Sequence, residues 1–289
     1  HFEKGKLLED NIKRPKAALE SFKQAVKYRA GEEFYHVRLA ACYHLLGKRN
    51  DALEALDAAL KVNGKYLGAL ASKAVLLRVQ GDYEEALCLA NKCYEIDPDF
   101  ICAIEEQCEN LMWLERHEEL LTKSQELLRL ESRAAAAFFY KGVALSWLGR
   151  YRQSQQSFDR CLAELKLKDA DQANENLEVK ARNFKAANLR LLDREAEAEE
   201  LLLAILETNG PVAGTLEQLI FLYIADRELE KAKQALEKLE EVDLKYTNIN
   251  YLKATLRYCS DDYRQAAEYF SIALRGYLTK TQLEELFIK

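Results

Sequence analysis

The sequence predicts an all-α chain built from about eight stacked two-helix repeats. Three observations lead there. Ala, Leu, Glu, Lys, Gln and Arg, the residues that lose least on entering a helix, dominate the composition. Only 3 Pro and 11 Gly occur in 289 residues, too little turn chemistry for an all-β chain. A turn pattern also recurs every 34 residues, from Gly47 to Gly81 and, at twice that spacing, to Gly149.

The repeat is clearest in LLRVQGDYEEALCLANKCYEIDPDF, residues 76–100. A first helix ends, Gly81-Asp82 makes a tight turn, a second helix follows, and Asp97-Pro98 stops it. Other copies align on the same turn residue. Backward from Gly47 the step reaches Lys13, in a copy loosened near its turn. Glu115 stands midway between Gly81 and Gly149, in a copy with no turn glycine. Beyond Gly149 the register slips by ten residues to Asp193, and the 34-residue step then resumes at Arg227 and Asp261.

The second helices follow from what succeeds each anchor. Five residues on stand Ala18, Ala52, Ala86, Leu120, Ser154, Ala198, Ala232 and Ala266. Nine on stand Phe22, Leu56, Ala90, Ser124, Phe158, Leu202, Leu236 and Phe270, and twelve on come Ala25, Ala59, Cys93, Leu127, Cys161, Ile205, Leu239 and Ala273. Steps of four and three keep these residues on one helical face. The matching face of the first helices carries Ala40 and Tyr43, Ala74 and Leu77, Cys108 and Leu111, Gly142 and Leu145, Ala186 and Leu189, then Ile220 and Tyr223. Small residues let paired helices approach, and larger apolar ones fill the layer between repeats.

Two stretches depart from the array. The ten extra residues fall within 162–179, where composition favours longer flanking helices broken near Lys168–Asp171, with Asp169 or Asp171 as a cap. After residue 275, Leu278, Leu283, Leu286 and Phe287 recur at near-helical spacing. Residues 276–289 therefore read as a helix capping the last apolar face, or as the start of another repeat. The domain reading is one array over 1–275 followed by this helix. The first residues are already in a helical pattern, so the sequence reads as part of a longer protein.

Composition narrows the function. A formal charge of −6 and a pI near 5.5 disfavour nucleic acid as the main partner. No apolar run approaches a membrane span. Seven cysteines, an odd number at spacings that fit no zinc or disulfide framework, suit a reducing, cytoplasmic setting.

A 34-residue helix–turn–helix carrying GDYEEA at its turn, DPDF at its close and FYKGVALSWLGRY at 138–151 resembles the tetratricopeptide repeat. The resemblance covers about residues 2–275. It implies a right-handed α-solenoid whose first helices line a concave surface, and a protein-binding scaffold or adaptor in complex assembly.

On that surface the expected partner-binding residues fall into three groups. Met112, Trp113, Phe139, Tyr140, Trp147, Phe184, Phe221, Tyr251 and Tyr258 form an aromatic trough suited to an apolar or amphipathic peptide or helix. Glu105, Glu106 and Glu109 form an acidic stretch beside it, matched to a basic flank of the partner or simply solvated. Arg38 and Arg78 are the basic candidates near the front. No Asn accompanies these arginines, which disfavours capture of chaperone C-terminal tails, the mode best known in the resembling family.

Catalysis has little support, and no cofactor or metal is expected. His36, Cys42 and His44 have poor spacing for a shared metal. Cys93 and Cys161 occupy packing slots, and no phosphate loop, nucleophile elbow or HExxH is present. The same array would also serve as the regulatory or substrate-positioning arm of a larger enzyme, or as a homotypic assembly module.

Overall fold

The computed structural model describes residues 15–130, 134–167, 172–244, 246 and 248–277. They form fifteen α-helices, with no strand among the described residues. Two compact units divide at the turn glycine of the fifth repeat, the first ending at Leu148 and the second starting at Gly149.

In the first unit, α1 (Pro15–Tyr28) precedes three hairpins. These are α2 (Glu33–Leu45) with α3 (Arg49–Val62), α4 (Leu67–Gln80) with α5 (Tyr83–Ile96), and α6 (Ile101–Trp113) with α7 (His117–Leu127). Helix α8 (Ala134–Trp147) closes the unit. The second unit opens with α9 (Tyr151–Lys166). Three hairpins follow: α10 (Gln172–Arg190) with α11 (Glu195–Asn209), α12 (Ala213–Ala225) with α13 (Leu229–Val242), and α14 (Ile249–Cys259) with α15 (Tyr263–Tyr277). Within each unit a helix packs mainly on its neighbours in the chain, as in any stack whose repeats touch only the next.

The turn anchors show why the register is so regular. Gly47, Gly81 and Gly149 have left-handed backbones, and so do Glu115, Asp193, Arg227 and Asp261, with φ of 55–60°. After six of these anchors the next residue donates its N–H to the carbonyl five positions back, as from Asp82 to Leu77 at 3.0 Å, Arg116 to Leu111 at 3.0 Å and Glu228 to Tyr223 at 2.8 Å. This closure satisfies carbonyls that a helix end otherwise leaves unpaired. The hydrogen-bonded turn thus sets the conformation even where no glycine eases it. A side chain in that conformation costs about 1 kcal/mol, least for Asp. Glu115→Gly and Arg227→Gly, one in each unit, are each expected to raise stability by about 0.5–1 kcal/mol. Urea unfolding would show two gains that add in the double variant.

The helix faces read from the sequence are the buried ones. All eight residues at the fifth position after the anchor are no more than 2% exposed. Ser154, the polar member of that set, accepts a hydrogen bond from Asn188 Nδ2 at 2.7 Å, so it is buried without an unpaired hydroxyl. At the ninth position Phe22, Leu56, Phe158 and Leu202 are sealed. Phe270, on the last described helix, stays exposed. The cores are layered: Phe22, Leu39 and Leu56 anchor one in the first unit, and Leu202, Ile205, Ile220 and Leu239 anchor one in the second.

Helices α9 and α10, with 16 and 19 residues, are the two longest described. The expected break at 168–171, its Asp caps and the expected capping segment beyond Tyr277 lie outside the described residues.

Candidate functional site

Each unit has a wall of first helices. In the first, α2, α4, α6 and α8 pack on one another in succession, and in the second α10, α12 and α14 do the same. Neighbouring second helices are set further apart, so the first helices form the inner side of each stack.

One pair of wall positions differs from repeat to repeat. It consists of the residue three before an anchor and the residue nine before the next anchor. Between α4 and α6 these are Arg78 and Glu106. Arg78 Nε donates to Glu106 Oε2 at 2.9 Å and Arg78 Nη2 donates to Oε1 at 3.2 Å, a bidentate fork. For α6 and α8 the positions hold Met112 and Tyr140. Tyr140 is 6% exposed, and its hydroxyl donates to Glu109 Oε1 at 2.8 Å. Burial, reinforced by the Glu109 charge, pushes that hydroxyl pKa well above the usual tyrosine value, so it stays a donor. For α2 and α4 the positions hold His44 and Ser72, and both line a cavity of about 180 Å³.

This arrangement corrects the acidic reading. Glu106 is buried against Arg78, and Glu109 accepts from Tyr140. Two of the three carboxylates therefore bind the protein's own first helices together, and Glu105 is half-buried beside them. Arg78 belongs to the same lock rather than to a free basic patch. Arg38 lies with its guanidinium 5.3 Å from the centre of the Phe34 ring.

The aromatic residues also separate. Phe139, 2% exposed, and Tyr140 are core residues and not groove surface. The reason is local: α8 reads AAAAFFYKGVALSW, is apolar on nearly every side and buries most of its length. Met112 is half-buried. In the second unit Phe184 is half-buried and stacks on Phe158 at 6.0 Å, and Phe221 is half-buried at 6.3 Å from Tyr251. Tyr251 and Tyr258 are exposed, edge-on to Phe270 and Tyr263 respectively.

Trp113 and Trp147 belong to a more regular feature. They stand two residues before their anchors, at the ends of first helices, and Leu45 and Val79 hold the same place in earlier repeats. All four are about half-exposed, at 56%, 43%, 53% and 49%. Tyr83 stacks on Trp113 at 5.6 Å and 7°, and His117 meets Trp147 at 4.7 Å and 49°. The second pair is the first shifted by 34 residues. The trough reading overlooked Leu45 and Val79 as rungs of this strip and Tyr83 and His117 as ring partners. Their common offset from the anchor is the signal that finds them.

Among the described residues no group of three or more His, Cys, Asp and Glu could hold a metal ion. His36 is tied by a ring nitrogen to the Ala30 carbonyl at 3.0 Å. Burial pushes the Cys93 thiol up to about 11 and the Cys161 thiol up to about 12, and it raises Cys108 further. Such thiols stay protonated and unreactive near neutral pH. Among the described residues no helix is long and apolar enough to cross a membrane.

No protein-family model matches the sequence, and no curated protein matches it. Solved structures do. A tetratricopeptide repeat protein from Parabacteroides merdae aligns over 88% of this chain and 96% of its own, with a TM-score of 0.74 and 19% identity. The Cut9–Hcn1 hetero-tetramer of the APC/C aligns over 88% of this chain and 45% of the matched chain, with a TM-score of 0.65 and 13% identity. YrrB, described as a TPR protein with an unusual peptide-binding site, aligns over 69% of this chain and 97% of its own, with a TM-score of 0.51 and 16% identity. With the anchors, the helix faces and the first-helix walls described above, these likenesses establish that the chain has the tetratricopeptide-repeat fold.

Proposed function

We propose that this protein is a non-catalytic interaction scaffold that holds an apolar or amphipathic segment of a partner along its first-helix wall. The observation that carries the reading is the strip Leu45, Val79, Trp113 and Trp147, one half-exposed apolar side chain per repeat. Single exposed apolar residues need no explanation, but a row of them at one repeat position marks an interaction surface. The tryptophans are suited to the task because a large ring adds contact area at little conformational cost. Tyr83 and His117 brace these rings from one side. YrrB, with the same fold, is described as having a peptide-binding site. In the second unit Leu191 holds the strip position at 48% exposed, and Tyr251 and Tyr258 add exposed rings at other positions, with Phe184 and Phe221 half-buried.

A library of displayed random dodecapeptides, selected on the immobilised protein, tests the reading. Enriched peptides are expected to be rich in apolar residues. Their affinity should fall at least about 30-fold for Trp113→Ala and again for Trp147→Ala, since a central ring contributes about 2 kcal/mol. Far-ultraviolet circular dichroism should stay unchanged, because both side chains lie at exposed helix ends. Enriched peptides that bind the double variant as tightly as the parent would rule the strip out.

A further inference from the structure

The cavity between α2 and α4 stands out once the three first-helix contacts of the first unit are compared. Position for position, His44 corresponds to Arg78 and to Met112, and Ser72 corresponds to Glu106 and to Tyr140. The second contact is filled by the Arg78–Glu106 fork, and the third has the buried Tyr140 ring. In the first contact, Ser72 is too short to fill the same place. A cavity of about 180 Å³ remains, bounded by Ala40, Ala41 and His44 of α2, by Ser72, Val75 and Leu76 of α4, and floored by Leu56 of α3. Leu56 and Ala40 are buried, Ala41, Ser72 and Val75 are half-buried, and His44 is exposed. The cavity thus opens on the inner wall.

We propose that this cavity is a socket for one uncharged, leucine-, methionine- or phenylalanine-sized side chain of a bound peptide, a reading that rests on the peptide-holding function above. Size supports it: an apolar cavity of about 150 Å³ already takes a benzene ring. Charge supports it too. The lining holds no Asp, Glu, Lys or Arg, and two ion pairs on α4 are closed, Lys73 with Asp57 at 2.7 Å and Arg78 with Glu106. An ammonium or carboxylate group would lose its hydration with no opposite carboxylate, ammonium or guanidinium in the lining to replace it. Ser72 and His44 offer polar atoms at the mouth, where the peptide backbone next to an inserted side chain would lie.

The protein itself supplies the plug for a test. His44→Arg with Ser72→Glu transplants the fork of the next contact into this one, and Ser72→Leu fills the space without charge. Methyl-labelled protein is titrated with N-acetyl-phenylalaninamide and N-acetyl-leucinamide, with N-acetyl-lysinamide as the charged control. Saturable shifts are expected at the methyls of Ala40, Ala41, Leu56, Val75 and Leu76 with the two apolar amides alone, and in neither plugged variant. Absence of saturable shifts in the parent, or equal shifts in folded plugged variants, would overturn the socket. The displayed-peptide selection separates this from the wider reading. Peptides that bind parent and plugged proteins alike reject the socket and leave the groove standing. At least a tenfold loss confined to the plugged proteins supports the socket. Amide binding with no peptide enriched rejects the groove and leaves the cavity as a small-molecule site.

Discussion

Replacing Phe139 by alanine is expected to lower the unfolding free energy by about 3–5 kcal/mol, the range for a large aromatic ring removed from a packed interior. Trp147→Ala, on the same helix, should cost less than about 1 kcal/mol. Chemical denaturation followed by circular dichroism would measure both. The contrast follows from placement. Phe139 is sealed in the interior, 5.5 Å from the Tyr140 ring, and little can collapse into the space it would leave. Trp147 ends the helix, tilted against the His117 ring and 43% exposed. The outcome also bears on how partner binding should be probed. A Phe139 variant that loses binding would report unfolding of its helix, whereas a Trp147 variant would report the surface. A Phe139→Ala protein as stable as its parent would show that this ring is not part of the core.

Sequence made the repeat legible because two independent signals share one period. The small residue that permits close helix approach and the turn that reverses the chain both recur every 34 residues. Glu115, Asp193, Arg227 and Asp261 could therefore be placed as anchors without glycine, and all four have the left-handed backbone. The inner surface was less legible. Periodicity picks a face only on a helix that has a polar side. Helix α8 offers almost none, so nothing in AAAAFFYKGVALSW separates the buried Phe139 and Tyr140 from the exposed Trp147. The acidic stretch was obscure for a different reason. Its partners lie in other repeats, Arg78 at 28 residues before Glu106 and Tyr140 at 31 residues after Glu109. A single helix read alone shows three glutamates on a solvated face. Only when neighbouring first helices are laid side by side do two of these carboxylates become fasteners.

That fastening leads to the second large effect. Glu106→Ala is expected to destabilise the protein by about 2–4 kcal/mol. The figure lies below the full penalty for breaking a wholly buried ion pair because the Arg78 side chain keeps 23% of its exposure and Glu106 keeps 11%. Most of the loss comes from stranding the guanidinium, which cannot shed its charge, between α4 and α6. Removing both partners should therefore cost less than removing Glu106 alone. Arg78→His with Glu106→Ser, the pair that α2 and α4 carry naturally, provides that comparison. A double-mutant cycle by urea unfolding is expected to give a coupling energy of at least about 1 kcal/mol; strictly additive losses would mean the fork contributes nothing beyond its separate side chains. The exchange also links stability to recognition. If a fork closes the space between first helices and a His–Ser pair leaves it open, the double variant should gain a second cavity at the α4–α6 contact, detectable as new amide-induced shifts at the Ala74 and Ala90 methyls. Each contact along the wall would then be either a lock or a socket, set by two residues and independent of the hairpins that carry them.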